Sequence, residues 1–198
     1  MYHSFNDETS VSKKWNRKQV FVPSMNMNNK QKNTFVKKQI VNTLLRMLKI
    51  QSLDSISVSE LVKEAGVGRV FFYRNYESKK DVLIQEENRL FQIWKQKLDA
   101  GSDEEKEDFG RSLLNFYKEH SDFYLSIYNA GLYEIIMTTI IETVEIPESE
   151  PNSVAYLKSS IAYMIYGYVS EWMKRGMIES GDQLADSLDK IKATLLSV

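Results

Sequence analysis

Residues 57–80 read SVSELVKEAGVGRVFFYRNYESKK, and their spacing decides the fold. Ser57 and Glu60 stand three apart, so each side chain can satisfy the other's free backbone N–H at a helix start. Val58, Leu61, Val62 and Ala65 then recur at i, i+3, i+4 and i+7, one apolar stripe of a short helix. Gly66 ends that helix, because glycine reaches the left-handed backbone region at little cost. Val67 supplies a small apolar plug for the turn. A second short helix follows over Arg69 to Tyr76, rich in Arg, Tyr and Asn. Two short helices joined by a tight turn are the layout of a helix-turn-helix, whose second helix can lie in the major groove of DNA.

The flanks extend this pattern. Upstream, Val36, Ile40, Leu44, Met47 and Leu48 share one face and predict a helix from about Asn33 to Ile50, with residues 51–56 as its connection. Residues 1–32 hold six Lys or Arg against Asp7 and Glu8 and show no sustained apolar period. They read as a flexible basic extension. Two readings stay open for it: an arm lying along phosphates or in a minor groove, or a disordered stretch ahead of a true start at Met25 or Met27. Trp15, Phe21 and Val22 are its apolar exceptions. Downstream, Ser78 and Asp81 form another capping pair. Leu83, Leu90, Trp94 and Leu98 then predict a long helix to about Asp99, broken by Ala100 to Asp103.

The remaining residues are helical in period. Phe109, Leu113, Phe116 and Tyr117 mark one helix, ending near His120. Phe123, Ile127 and Tyr128 mark a short one, and Leu132, Ile135, Ile136, Ile140 and Val144 a third. Pro147 and Pro151 bracket a loop. A long helix from about Asn152 carries Val154, Leu157, Ile161, Ile165, Tyr168 and Trp172 and ends near Gly176. Ser180 and Gln183 cap the last helix, with Leu184, Leu188, Ile191 and Leu195 on one stripe. No β alternation and no internal repeat emerges, so the expected fold class is all-α. The expected division is an N-terminal extension over 1–32, a helix-turn-helix domain over 33–80, and a helical body over 81–198.

Charge follows the same division. Residues 1–80 hold 15 Lys and Arg against 6 Asp and Glu, whereas residues 81–198 hold 11 against 21. The whole-chain balance of −1 therefore hides a basic half and an acidic half, and only the first suits a polyanion. The chain has no cysteine, which excludes disulfides and thiolate metal sites and suits a reducing, cytoplasmic setting. Its apolar runs, such as Ala162 to Val169, fall short of the roughly 18 residues a membrane span requires. No signal-peptide pattern opens the sequence.

The order of helices and the stretch AGVGRVFFYRNYESKKDVL together resemble the TetR family of transcriptional regulators. Ala65, Gly66, Val67, Phe72, Tyr73, Tyr76, Ser78 and Lys79 stand where that family's pattern places them. The resemblance is specific over Val36 to Leu90 and rests on helix order beyond. Gly68 departs from the usual Ser or Thr, Val70 from a common glycine, and Arg74–Asn75 from an aromatic–histidine pair, which leaves the operator sequence open.

On this reading Phe72 and Val67 pack inward, while Gly68, Arg69, Val70, Phe71, Tyr73, Arg74 and Asn75 have varying access to DNA. Arg69 is the best candidate for a base contact, since a guanidinium can bond a guanine edge bidentately; a phosphate contact is the alternative. Val70 and Phe71 can meet thymine methyls, and Phe71 can equally pack against the first helix. Ser57 and Ser59 can offer hydroxyl or amide contacts to phosphate at a helix N-terminus. The resemblance implies phosphate contacts for Tyr73 and Lys79.

For the body, the resemblance implies that the last two helices pair with their copies in a homodimer, with Met164, Tyr168, Trp172, Met173, Leu188 and Leu195 as interface candidates. A dimer sets two recognition helices about one DNA turn apart, ~34–36 Å, to read a near-palindromic operator. The body's aromatic and methionine content suits a small apolar or aromatic effector, with Trp94, Phe116, Tyr117, Tyr128, Tyr133, Met137, Tyr163 and Tyr166 as candidate lining. Ordinary core packing is the competing account of both sets.

Catalysis is not expected. The two histidines, His3 and His120, lack a partner at metal-ligand spacing, and no phosphate-cradling glycine loop or nucleophile elbow occurs. The carboxylate pairs Glu86–Glu87 and Glu104–Glu105 read as solvated faces. No cofactor or metal is expected. The expectation is a DNA-binding regulator, a repressor released by an effector; the alternative is a helical adaptor that binds another protein and takes no effector.

Overall fold

In the computed structural model, residues 28–103, 108–144 and 146–196 are described, with side chains as far as Lys190. The expected basic extension up to Met27, including Trp15, Phe21 and Val22, lies outside them, as do Glu104 and Glu105. The described residues are all-helical: α1 Asn29–Leu48, α2 Val58–Glu64, α3 Arg69–Asn75, α4 Lys79–Ala100, α5 Phe109–Glu119, α6 Ser121–Asn129, α7 Glu134–Val144, α8 Asn152–Lys174 and α9 Gly181–Leu196.

Local chemistry explains most of the boundaries. Ser57 Oγ accepts from the Glu60 amide at 3.1 Å while the Glu60 carboxylate accepts from the Ser57 amide at 3.0 Å. The same reciprocal pair forms at Ser180 and Gln183, and Ser78 Oγ accepts from the Asp81 amide at 3.0 Å. Each such cap is worth about 1 kcal/mol. At Gly66 the backbone turns to φ 67°. There the Val67 amide reaches back to the Val62 carbonyl at 2.8 Å and the Gly66 amide to that of Lys63 at 3.2 Å. These two bonds close α2 as a Schellman motif. Gly176, at φ 77°, ends α8 in the same way, and the following Met177 is buried.

The first helix begins earlier than its apolar period predicts. Asn28 and Gln31 form a capping box, with 2.9 Å in both directions, so α1 starts at Asn29 and takes in the last residues assigned to the extension. Its opening turns carry no apolar residue, so periodicity gave no sign of them.

The head is α1 to α3 closed by the start of α4. Ile40, Val41 and Leu44 from α1, Leu53 and Ile56 from the connection, Leu61 and Val62 from α2, Phe72 from α3, and Val82 and Leu83 from α4 are all buried. The helices α2 and α3 have seven residues each, too short to be stable alone, so α1 and α4 hold them in place. The body stacks α4 against α5 and α7, α7 against α8, and α5 against α9; α1 also packs on α6, which ties head to body. Ring contacts fill the body's centre. Phe116 lies 6.2 Å from Phe91, 5.9 Å from Trp94 and 5.9 Å from Tyr124, and Tyr117 sits edge-on to Tyr124 at 4.5 Å. Arrangements of this kind add about 0.5–1.5 kcal/mol per pair beyond the area they bury.

One expectation fails here. Glu87, expected on a solvated face, is completely buried on α4, between Leu83 and Leu90. Those two leucines and Trp94 already define the inward seam, and Glu87 falls on it at i+4 from Leu83; the charge of the side chain obscured its register. No helix among the described residues is long and apolar enough to cross a membrane.

Candidate nucleic-acid interface

The short α3 sorts its seven residues by face. Phe72 is fully buried and contacts the Tyr76 ring at 5.5 Å, so it fixes the angle of α3 on the head. Arg69, Val70, Tyr73 and Arg74 are exposed, Val70 at 74% and Tyr73 at 64%. Their numbering places them together on the side opposite Phe72. The turn supports them without crowding: Gly68 caps α3 in an extended conformation, with open space where a Cβ would stand.

Other candidates are already engaged inside the protein. The Arg69 guanidinium donates to the Ser59 hydroxyl, which joins two candidate contact residues across the turn. Ser57 uses its hydroxyl and amide in the cap with Glu60. Phe71 is half-buried and packs on the core, in keeping with the packing alternative. Asn75 returns its amide group to the Phe71 carbonyl at 2.8 Å, and Gln85 holds the Asn75 carbonyl at 2.9 Å.

Lys79 occupies a different setting from a free phosphate ligand. Its half-buried ammonium donates to the carbonyls of Leu53, at 2.6 Å, and Ile56, with Asp54 at 3.5 Å. The lysine thereby closes the turn that leads into α2. Beside it Tyr76 is buried, with Lys37 Nζ 5.3 Å from its ring centre. Burial, reinforced by Glu86 and Asp81, pushes the Tyr76 hydroxyl up to about 12, so it stays neutral.

In the body, a cavity of about 520 Å³ runs between α4 and α5. Trp94 and Phe116 line it, together with His120, Arg111 and Ser112. The Trp94 indole donates to Ser112 Oγ at 3.0 Å, and Lys97 faces Glu119 at 3.8 Å. The other six candidate lining residues lie elsewhere. Tyr117 is core; Tyr128 and Tyr133 meet at 6.5 Å beside the turn between α6 and α7; Met137 and Tyr166 are half-buried; Tyr163 is exposed on α8. These eight side chains span several helix faces, and of them Trp94 and Phe116 line this cavity.

The dimer candidates divide similarly. Met164 is 60% exposed, whereas Trp172 and Met173, expected at the interface, are buried within the protomer and leave no surface for a partner to cover. Tyr168 donates to the Leu184 carbonyl at 3.1 Å, and both Tyr168 and Leu188 are half-buried against the core. The Leu195 side chain lies beyond those described. The exposed apolar face of α8 instead runs through Val154, Leu157, Ile161 and Met164, flanked by Tyr156 and Tyr163. Its 3–4–3 spacing is that of a helix-pairing seam, a signal the sequence already carried.

Residues 22–122 fit the model of a family described only as being of unknown function, DUF6262. The chain belongs to that family. The matched residues include all of α1 to α5, and so cover the whole head. No curated protein matches the chain. Among solved structures, the Listeria innocua protein Lin0861, a 2.8 Å crystal structure, is 18% identical, with 86% of this chain and 95% of that one aligned at a TM-score of 0.66. That likeness is one of fold. The fatty acid degradation regulator FadR from Bacillus halodurans is 16% identical over 78% of this chain and 96% of its own, at a TM-score of 0.47, too loose a superposition to carry an argument.

Proposed function

We propose that this DUF6262 chain is a sequence-specific double-stranded-DNA-binding transcription regulator of TetR type, a binding protein and not an enzyme. The observation that carries the reading is the division of labour on α3: Phe72 anchors it inward while Arg69, Val70, Tyr73 and Arg74 project outward at the basic end of the chain. Those side chains have the chemistry to meet base edges and phosphates in a major groove. The regulator works in the cytoplasm as a homodimer, paired through the exposed apolar face of α8 from Val154 to Met164, and binds a near-palindromic operator as a repressor. A small apolar or aromatic effector releases it. The cavity beside Trp94 and Phe116 is the best placed to take that effector, since α4 forms one wall and leads straight to the head. Such release requires the effector to favour one arrangement of the two heads over the other.

Selection of genomic fragments by the purified protein tests the reading. The expected result is enrichment of a symmetric site, with affinity that falls steeply with salt as phosphate contacts release counterions. Failure to retain any fragment at low salt would favour a helical adaptor instead.

A further inference from the structure

Glu87 stands out once the candidate sites have been accounted for. It is fully buried at the middle of α4, and neither carboxylate oxygen has a geometrically complete hydrogen bond. The hydroxyls of Tyr117 on α5 and Tyr124 on α6 are buried and likewise incomplete. An unpaired charge in such a place is costly, and a group there tends to take up a proton instead. The surroundings span the join between head and body, because α6 packs on α1 and α4 continues out of the head.

We infer that Glu87 is a proton-operated latch at the head–body junction: neutral, it lets α4 seat fully against α5, α6 and α7, and ionised, it loosens that seat. The groups that act on it are few. Tyr124 and Thr139, from α6 and α7, interact with it directly; Tyr117 faces it from α5; and Glu86 is its like-charged neighbour on α4. None of these is a cation able to compensate the carboxylate. Burial is the dominant influence and pushes the Glu87 carboxyl up to about 7, against a smaller pull downward from Tyr124 and Thr139.

The sign of the effect follows. An acid whose pKa is raised by folding stabilises the fold at low pH and loses that contribution as pH rises from its ordinary value through about 7. His120 acts in the opposite sense. Burial lowers its pKa, so its contribution is lost as pH falls. A comparison of variants therefore separates the two.

The test uses the full chain without DNA, so its outcome is independent of whether the protein binds an operator. Thermal unfolding is followed from pH 5.5 to 8.5 for the wild type and Glu87→Gln, a neutral shape mimic of the protonated acid. The wild-type Tm is expected to fall by about 5 °C more than that of the variant across the range. Parallel curves overturn the latch. Should Glu87→Gln fail to fold, the wild type alone decides. The Glu87 side-chain carbon signal should titrate near neutral pH, and α4 amides should exchange faster at pH 8.5 after correction for intrinsic rates. Titration in the ordinary carboxylate range, or unchanged α4 protection, equally overturns it.

Discussion

The guanidinium of Arg69 on α3 donates to the hydroxyl of Ser59 on α2, so the residue proposed to read a base is held by the neighbouring helix of the same motif. This contact aims a long, flexible side chain and reduces the rotamer freedom it would lose on binding. Arg69→Ala should relax preference at one base pair by about 1–3 kcal/mol, while Ser59→Ala should leave the preferred base in place. Binding titrations against a panel of single-base operator variants check both, and an unaltered preference in Arg69→Ala rules out base reading by this residue.

Lys79 and Tyr73 should separate affinity from stability. The three carbonyls held by the Lys79 ammonium lose their donor in Lys79→Ala, which should cost about 1–3 kcal/mol in urea unfolding. Binding to all DNA sequences should weaken alike, because the turn that seats α2 is loosened. Tyr73 is 64% exposed, so Tyr73→Ala should weaken binding just as uniformly while stability stays within about 0.5 kcal/mol of wild type. Equal unfolding midpoints for wild type and Lys79→Ala would show that the lysine does not support the turn.

Two glycines should respond in opposite directions. A Cβ on Gly181 would stand 2.2 Å from Asn115 Oδ1 and 2.6 Å and 2.7 Å from that residue's backbone N and Cα. The backbone cannot yield, so α9 must shift on α5, and Gly181→Ala should destabilise by about 1–3 kcal/mol. At Gly68 there is open space and an ordinary extended backbone. Gly68→Ser adds a side-chain acceptor for the first turn of α3 and should stabilise by a few tenths of a kcal/mol. Calorimetric melting of the two variants provides the check.

Leu157 and Met164 are 61% and 60% exposed along one apolar line of α8. A charge at either position should leave the protomer folded and remove the driving force for self-association. Sedimentation of Leu157→Glu and Met164→Glu should give helical monomers where the wild type gives a dimer. A wild-type monomer at tens of micromolar, or variants that remain dimers, would discard this face as the contact.

What could be read in advance was whatever depends on neighbours in sequence. The serine caps at Ser57, Ser78 and Ser180 and the turn at Gly66 are local devices, and each operates as its spacing predicts. Asn28 and Gln31 form an equally local device, but no apolar stripe follows closely enough to draw attention to it. The misreadings are tertiary. Trp172 and Met173 share a helix with the exposed Leu157, and only the packing of α8 on α6 and α7 shows which residues face inward. The charge of Glu87 masks its register on the buried seam of α4. The candidate effector aromatics proved to be scattered because residue type does not reveal which rings enclose space and which fill it.

Because Phe72 alone among the α3 side chains is fully buried, the outward positions are nearly free of structural duty. Substitutions at Val70, Tyr73 or Arg74 can accumulate without first destabilising the scaffold. On the proposed reading of α3, descendants of one ancestor can thus acquire new targets while inheriting an unchanged frame, and divergence in recognition should outpace divergence in architecture.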